Sequence, residues 1–393
     1  MNRGSAALQS LPDRRTVSNL ILGTGFGLTG AGVVMLGVLL PALAKRWGLR
    51  DDVSGFLFFL QFLGTSLGAV ITGANHLRWM MIGYGLLVVS ACALAFSSLP
   101  VVFPVLFCFG LGLGTVMTAT SLVFADRYQG DCAVQLQRLN FAWAVGATTA
   151  PMLFLPYLRM TSLSPLFFTF QGLFLALFIW IALRERKETP IFHPSLEKGP
   201  RENPSPSGSL VPLVILAVCA VGIEASLSGW LTTYSRRADP THLAGAVLAI
   251  SLFWFGVTFS RFVFSTRLLT IIGSRRVMRL ALWCLAASVA MLISAHTPAT
   301  IRVGAALAGL SLGPVYPLLL SFMLEFTARG WIFAVGGAGA AVLPWFTGLL
   351  SAQYGSLCYG LVAPFGAALL MVILVSISLR ETDPSVPQTI KQG

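Results

Sequence analysis

Charge is scarce in this 393-residue chain: 10% of residues are Asp, Glu, Lys or Arg, while 56% are hydrophobic. Soluble domains carry about 25% charged residues, so this chain cannot clothe itself in a polar surface. Lipid must be its solvent. Acids are the scarcer sign, 14 against 26 Lys and Arg. The resulting net charge of +12 does not indicate nucleic acid. The basic residues sit in short loops between apolar runs, with no aromatic interleaving on a polar face, and membrane topology accounts for them.

Other absences narrow the chemistry. The six cysteines (92, 108, 132, 219, 284 and 358) are scattered, with no CxxC and no histidine at ligand spacing. Five of them sit in apolar spans and read as small buried hydrophobes. None of the four histidines is mid-span and no pair has metal-ligand spacing. There is no phosphate-binding glycine loop, so ATP is not expected to act directly. No Ser-His-Asp arrangement is suggested, and no cofactor is expected. The chain has no Asn-x-Ser/Thr sequon, which fits a bacterial membrane. These gaps argue against an enzyme.

What is present is apolar sequence in long blocks. A spanning helix needs ~20 mostly apolar residues, and twelve such runs occur: roughly 18–44, 53–73, 79–98, 102–124, 136–158 and 165–183 in the first half, and roughly 210–235, 243–266, 276–295, 300–324, 328–352 and 358–379 in the second. The first run is too long for a signal peptide, so it is expected to be retained. The only long polar stretch, 184–209, contains Arg184, Glu185, Arg186, Lys187 and Glu188 and five prolines. It cannot build a core and reads as a linker. The expected domains are therefore 1–183, the linker 184–209, and 210–393.

Loops on the side of the two termini hold 19 Lys and Arg, and those on the other side hold 7. The positive-inside rule then predicts a multi-pass inner-membrane protein with both termini and the linker in the cytoplasm. The halves also repeat. Phe109-Gly-Leu-Gly-Leu-Gly114 aligns with Ala308-Gly-Leu-Ser-Leu-Gly313, and the same register places Asp126 on Glu325. Phe62-Leu-Gly64 falls on Trp254-Phe-Gly256, and Ala144-Val-Gly146 on Ala334-Val-Gly336. Two parallel six-helix repeats predict a transporter with its site at the midplane between them.

One residue stands out within this apolar sequence. Glu224 lies near the middle of the run from Val211 to Tyr234. Placing a carboxylate at mid-bilayer costs about 2.5–3.5 kcal/mol on insertion scales, and intramembrane ionisable residues are functional by default. There, Glu224 can carry a proton or hydrogen-bond a hydroxylated solute. The competing reading is a structural acid holding the seventh span in place. Ser228 lies one turn onward on the same face, and Trp230 and Tyr234 lie towards the outer end. Gly222 and Gly229 would permit local unwinding. Gln61, Asn140 and Trp143 can supply the opposite wall, and Trp254 is a further candidate; aromatic faces beside amides and hydroxyls suit a sugar. Arg261 lies about one turn inside the cytoplasmic end of the eighth span, where pairing with Asp126 or Glu325 would make a gate. Its alternative is to snorkel to the interface.

Twelve spans as six plus six, with a central cytoplasmic loop, resemble the major facilitator superfamily. Gly222-Ile-Glu224 followed by Gly229-Trp230 and Tyr234 resembles the seventh span of the fucose–galactose–glucose:proton symporter family. Trp254-Phe-Gly256 with Arg261, then Gly273-Ser-Arg275-Arg276, resembles its eighth span and the loop beyond. Gly313-Pro314-Val-Tyr316-Pro317 resembles its tenth, and Gly336, Gly339, Pro344-Trp345 and Gly348 its eleventh. In the first half the likeness is carried by Leu139-Asn140, Gly146-Ala147 and Pro151. Two family features are missing: the loop after the second span, Gly73-Ala-Asn75-His76-Leu-Arg78, has no acid, and spans one and four carry threonines where that family has carboxylates. The resemblance implies an all-α major facilitator fold in two six-helix bundles, and a monomeric alternating-access carrier of a small-molecule substrate. That substrate would be a monosaccharide, taken up by proton symport. Alternatives are a sodium-coupled or uncoupled carrier, an exporter of amphipathic compounds, and a membrane sensor that does not transport.

Overall fold

The computed structural model describes residues 14–128, 132–185, 210–264, 272–326 and 331–378. Among these residues the regular structure is helical, and twelve helical segments are long and apolar enough to cross a membrane. Most of the linker, 186–209, and both chain ends lie outside the described residues. The first six spans are Arg14–Trp47, Asp51–Ile71, His76–Phe96, Leu99–Arg127, Cys132–Leu158 and Ser164–Glu185. The next three are Leu210–Ala238, Leu243–Phe264 and Ser274–Ile293. The tenth is built from two helices, Pro298–Leu312 and Val315–Phe326; the eleventh is Trp331–Tyr354; and the twelfth joins Leu357–Gly360 to Val362–Ser378. The face on which the first span begins is called proximal below, and the opposite face distal.

The two helical halves form two six-helix bundles that meet along spans one and seven, two and eleven, and five and eight. Small residues set this packing, because in lipid the helices gain little from burying apolar surface and must approach closely to gain dispersion. The internal repeat becomes physical here. A Cβ on Gly64 would lie 2.2 Å from the carbonyl oxygen of Phe107, and one on Gly110 would lie 2.0 Å from that of Gln61. In the second half, a Cβ on Gly256 would lie 2.6 Å from the carbonyl of Ala306, and one on Gly309 2.0 Å from that of Phe253. In the alignment above these four glycine–carbonyl contacts pair off position by position. Span two packs on span four as span eight packs on span ten.

Two helices differ from the sequence expectation. The seventh span is one continuous helix from Leu210 to Ala238, so Gly222 and Gly229 do not unwind it. They are used for close approach instead: a Cβ on Gly222 would lie 3.0 Å from the Gly339 carbonyl, and one on Gly229 2.8 Å from the Phe58 ring. The break falls in the tenth span, at Gly313-Pro314. Pro314 and Pro317 each lack the N–H that an unbroken helix requires. The carbonyl of Gly313, whose i+4 residue is Pro317, is thereby left without its helical donor.

Candidate functional site

Spans seven and eight run antiparallel, and two cross-links join their facing sides. The first is an ion pair: an Arg261 Nη donates to Glu224 Oε2 at 3.0 Å. The second lies one turn further along span seven and about two turns back along span eight, where the Trp254 indole N–H donates to Ser228 Oγ at 3.1 Å. Glu224 sits at the centre of its 29-residue helix. Among the described residues, its bond to Arg261 is the only ion pair away from the ends of the spans. The two side chains remain 18% and 21% exposed, so the pair borders open space rather than sealed core.

Arg261 was expected to face an acid at the proximal ends or to snorkel outward. In this conformation it reaches Glu224. Side chains on a helix lean towards its N-terminus, which for span eight is the distal end. An arginine near the proximal end therefore leans inward, towards mid-membrane and Glu224. Its Nε also faces the Gly313 carbonyl at 3.4 Å, the oxygen that Pro317 cannot serve. Close approach makes this possible, since a Cβ on Gly313 would lie 1.8 Å from Ser260 Oγ. The break in span ten is thus tied to Arg261, and through it to Glu224. Tyr316, just past the break, lies within electrostatic range of both charges.

The other expected gate residues are placed differently. Asp126 is 3.2 Å from His76 Nε2, both in the first bundle at its proximal face. The helix carrying Glu325 is described, but its side chain lies outside the described residues.

From Trp254 the site crosses to the first bundle. The rings of Trp143 and Trp254 meet edge to face at 5.2 Å, and the Thr148 and Thr258 hydroxyls meet at 3.1 Å. The Trp143 indole N–H is buried with no partner. Gln61, fully buried, donates from Nε2 to the Val33 carbonyl at 3.1 Å, and its Oε1 is also buried without a partner. A buried polar group left unpaired costs about 1–3 kcal/mol, so an unused donor and an unused acceptor on the first-bundle side call for a ligand or water. Asn140, one turn from Trp143, is exposed.

Two aromatic candidates are occupied within the protein. The fully buried Trp230 donates to the Pro344 carbonyl at 2.9 Å and packs edge to face on Phe58. Tyr234 donates to the Leu292 carbonyl at 2.6 Å and touches Cys358, inside the second bundle. Both hold the distal part of span seven in place in this conformation.

The distal face carries a feature that sequence reasoning missed. Asp51, at the start of span two, receives two hydrogen bonds from Arg237 at 2.7 and 2.5 Å, and a third from Ser351 at 2.5 Å. Its side chain is 11% exposed. Span two belongs to the first bundle, spans seven and eleven to the second, so this cluster clasps the bundles together at the distal face. No local signal announces it: Asp51 looks like an ordinary first-turn acid, and its partners are distant in sequence.

Two six-helix bundles, closed by charge at one face and enclosing a charged pair at mid-membrane, make up the architecture of a membrane transporter. The family model described as Major Facilitator Superfamily matches residues 22–330, and the chain belongs to that superfamily, whose members are transporters rather than enzymes. Among solved structures, the nucleoside transporter NupG matches with a TM-score of 0.68 at 10% identity, over 93% of this chain and 98% of that one. The peptide transporter POT matches with a TM-score of 0.74 at 14% identity, over 92% and 94%. At such identities the likeness concerns the fold alone. No curated protein matches the chain with significance.

Proposed function

We propose that this protein is a proton-coupled symporter of a small neutral polar solute, a monosaccharide by preference, working by alternating access as a monomer in a bacterial inner membrane. The observation that carries the reading is the mid-membrane Glu224–Arg261 pair, joined to the break in span ten at Gly313. A proton arriving on Glu224 removes the negative partner of Arg261 and leaves the arginine with the Gly313 carbonyl alone. Proton binding is thereby tied to the position of span ten, a candidate moving part.

The charge balance favours a neutral solute. The one mid-membrane acid is spent on the one nearby arginine, leaving amide, indole and hydroxyl groups to meet the substrate. Gln61 Oε1 and Trp143 Nε1 offer an acceptor and a donor that the protein does not use. The Trp143 and Trp254 rings offer apolar faces, as a sugar's C–H surface requires, and Ser228 and Asn140 complete the polar set. The excess of Lys and Arg on the proximal side supports placing that face in the cytoplasm. The distal clasp at Asp51 then closes the protein to the outside in this conformation.

Proteoliposomes supplied with labelled monosaccharides, with and without an imposed pH gradient, test the reading. Accumulation that requires the gradient supports it. Equilibration without accumulation indicates a uniporter, dependence on sodium a different coupling ion, and no sugar flux an exporter or a sensor.

A further inference from the structure

A cavity lies on the outer wall of the second bundle, between spans nine and ten. Its volume is about 470 Å³, within the ~300–1,000 Å³ typical of small-molecule sites. Val277, Leu280 and Ala287 line it from span nine, and Leu307, Leu310 and Pro314 from span ten. It faces the bilayer: Leu280 is 61% exposed and the neighbouring Trp283 59%. Two hydroxyls reach the wall, and both spend their proton on a carbonyl of their own helix. Ser288 donates to the Cys284 carbonyl at 2.6 Å, and Ser311 to the Leu307 carbonyl at 2.7 Å. The lining therefore offers no free hydroxyl donor to a hydrophilic solute, which separates this cavity from the central site. Its natural content is hydrocarbon.

One end of the cavity is marked by charge. Arg276, Leu280 and Cys284 follow each other at four-residue spacing, so they lie along one edge of span nine, with the arginine at the proximal mouth. Arg276 and, one turn on, Arg279 are exposed. Neither makes an ion pair among the described residues, and span nine contains no acid to neutralise them. An apolar slot running up the helix from an unneutralised cationic mouth matches a molecule with a hydrocarbon chain and an anionic head.

We propose that this groove is a binding site for an anionic phospholipid of the proximal leaflet, with one acyl chain between spans nine and ten and the headgroup phosphate on Arg276. The chain packs on Pro314, the residue after Gly313, whose carbonyl faces Arg261. Occupancy therefore supports the broken segment of span ten from its lipid side. The site does not depend on which solute the protein carries.

Native mass spectrometry of the full-length protein, released from nanodiscs of equimolar phosphatidylglycerol and phosphatidylcholine with identical acyl chains, tests this. The wild-type protein is expected to retain phosphatidylglycerol over phosphatidylcholine by roughly fivefold, the factor for one basic contact at a membrane surface. Arg276→Gln is expected to abolish that preference. Ala287→Phe, at an exposed position where a larger side chain fills the groove without entering the core, is expected to lower retention of both lipids. Equal retention of the two lipids by the wild-type protein overturns the proposal, as does unchanged retention in Ala287→Phe. Both variants sit on the lipid-facing surface, so sugar flux can be measured alongside. Lipid selectivity without sugar flux would break the sugar-uptake reading and leave the lipid site standing.

Discussion

Arg261 donates to Glu224 through an Nη and faces the Gly313 carbonyl with its Nε, so a charge on span seven and a helix break on span ten share one side chain. Removing one partner from an ion pair strands the other charge, a loss that reaches about 3–5 kcal/mol when burial is complete and is smaller for a pair that borders open space, whereas removing both together is often nearly neutral. Arg261→Met should therefore lower thermal stability markedly in detergent. Adding Glu224→Gln to that variant should restore part of the loss. A double variant no more stable than Arg261→Met alone would show that the pair is not energetically coupled.

If Glu224 carries the proton, Glu224→Gln should separate coupling from binding. The amide still accepts a hydrogen bond from Arg261 but cannot release a proton. Accumulation driven by a pH gradient should disappear while substrate exchange across the membrane persists. Unchanged accumulation and unchanged pH dependence would falsify the assignment.

The clasp at Asp51 should govern access from the distal face. Its carboxylate accepts two bonds from Arg237 and one from Ser351, and bidentate arginine–carboxylate pairs are among the stronger hydrogen-bonded contacts. Asp51→Asn keeps the shape but loses the charge. Cysteines placed beside Phe58, deeper along the same interface, should react faster with a water-soluble maleimide in that variant. Equal labelling rates would mean that the clasp does not hold the face shut.

The unpaired donor on Trp143 should serve substrate rather than fold. Trp143→Phe retains an aromatic ring against Trp254 but deletes the N–H that the protein leaves unused. KM is expected to rise several-fold with little change in melting temperature, since no bond within the protein is lost. A fall in stability with KM unchanged would place Trp143 in the packing instead.

The glycine contacts predict a symmetry in stability. Gly110→Ala and Gly309→Ala should each destabilise by about 1–3 kcal/mol or more, because a methyl at either site runs into a backbone carbonyl of the neighbouring span. Gly23→Ala serves as the control, having open space around its Cβ position. Thermal shifts of the three variants decide the matter, and a Gly23→Ala shift as large as the others would remove the packing argument.

Much of this molecule was legible in the chain. Twelve apolar runs, the six-plus-six division and the repeat of small residues follow from what lipid demands of a backbone: every N–H and C=O must be satisfied within the span. Such constraints act locally and leave periodic traces in sequence. Glu224 was legible for the same reason, as a charge within an apolar run.

The partners of these residues were not legible, because they are settled by how helices distant in sequence face one another. Arg261 could be assigned to a proximal acid or to the interface until the inward lean of its side chain and the proximity of span ten sent it to Glu224 and Gly313. Trp230 and Tyr234 carry the same residue types as a sugar site, yet backbone carbonyls on spans eleven and nine take up their polar atoms. Asp51 had no distinguishing mark in sequence. Only the meeting of spans two, seven and eleven makes it a clasp. The sequence alone determined that this is a two-bundle membrane protein with one costly acid at its centre. Tertiary packing alone decided what that acid holds, because an ion pair between two helices depends on distance and angle, which residue order does not encode.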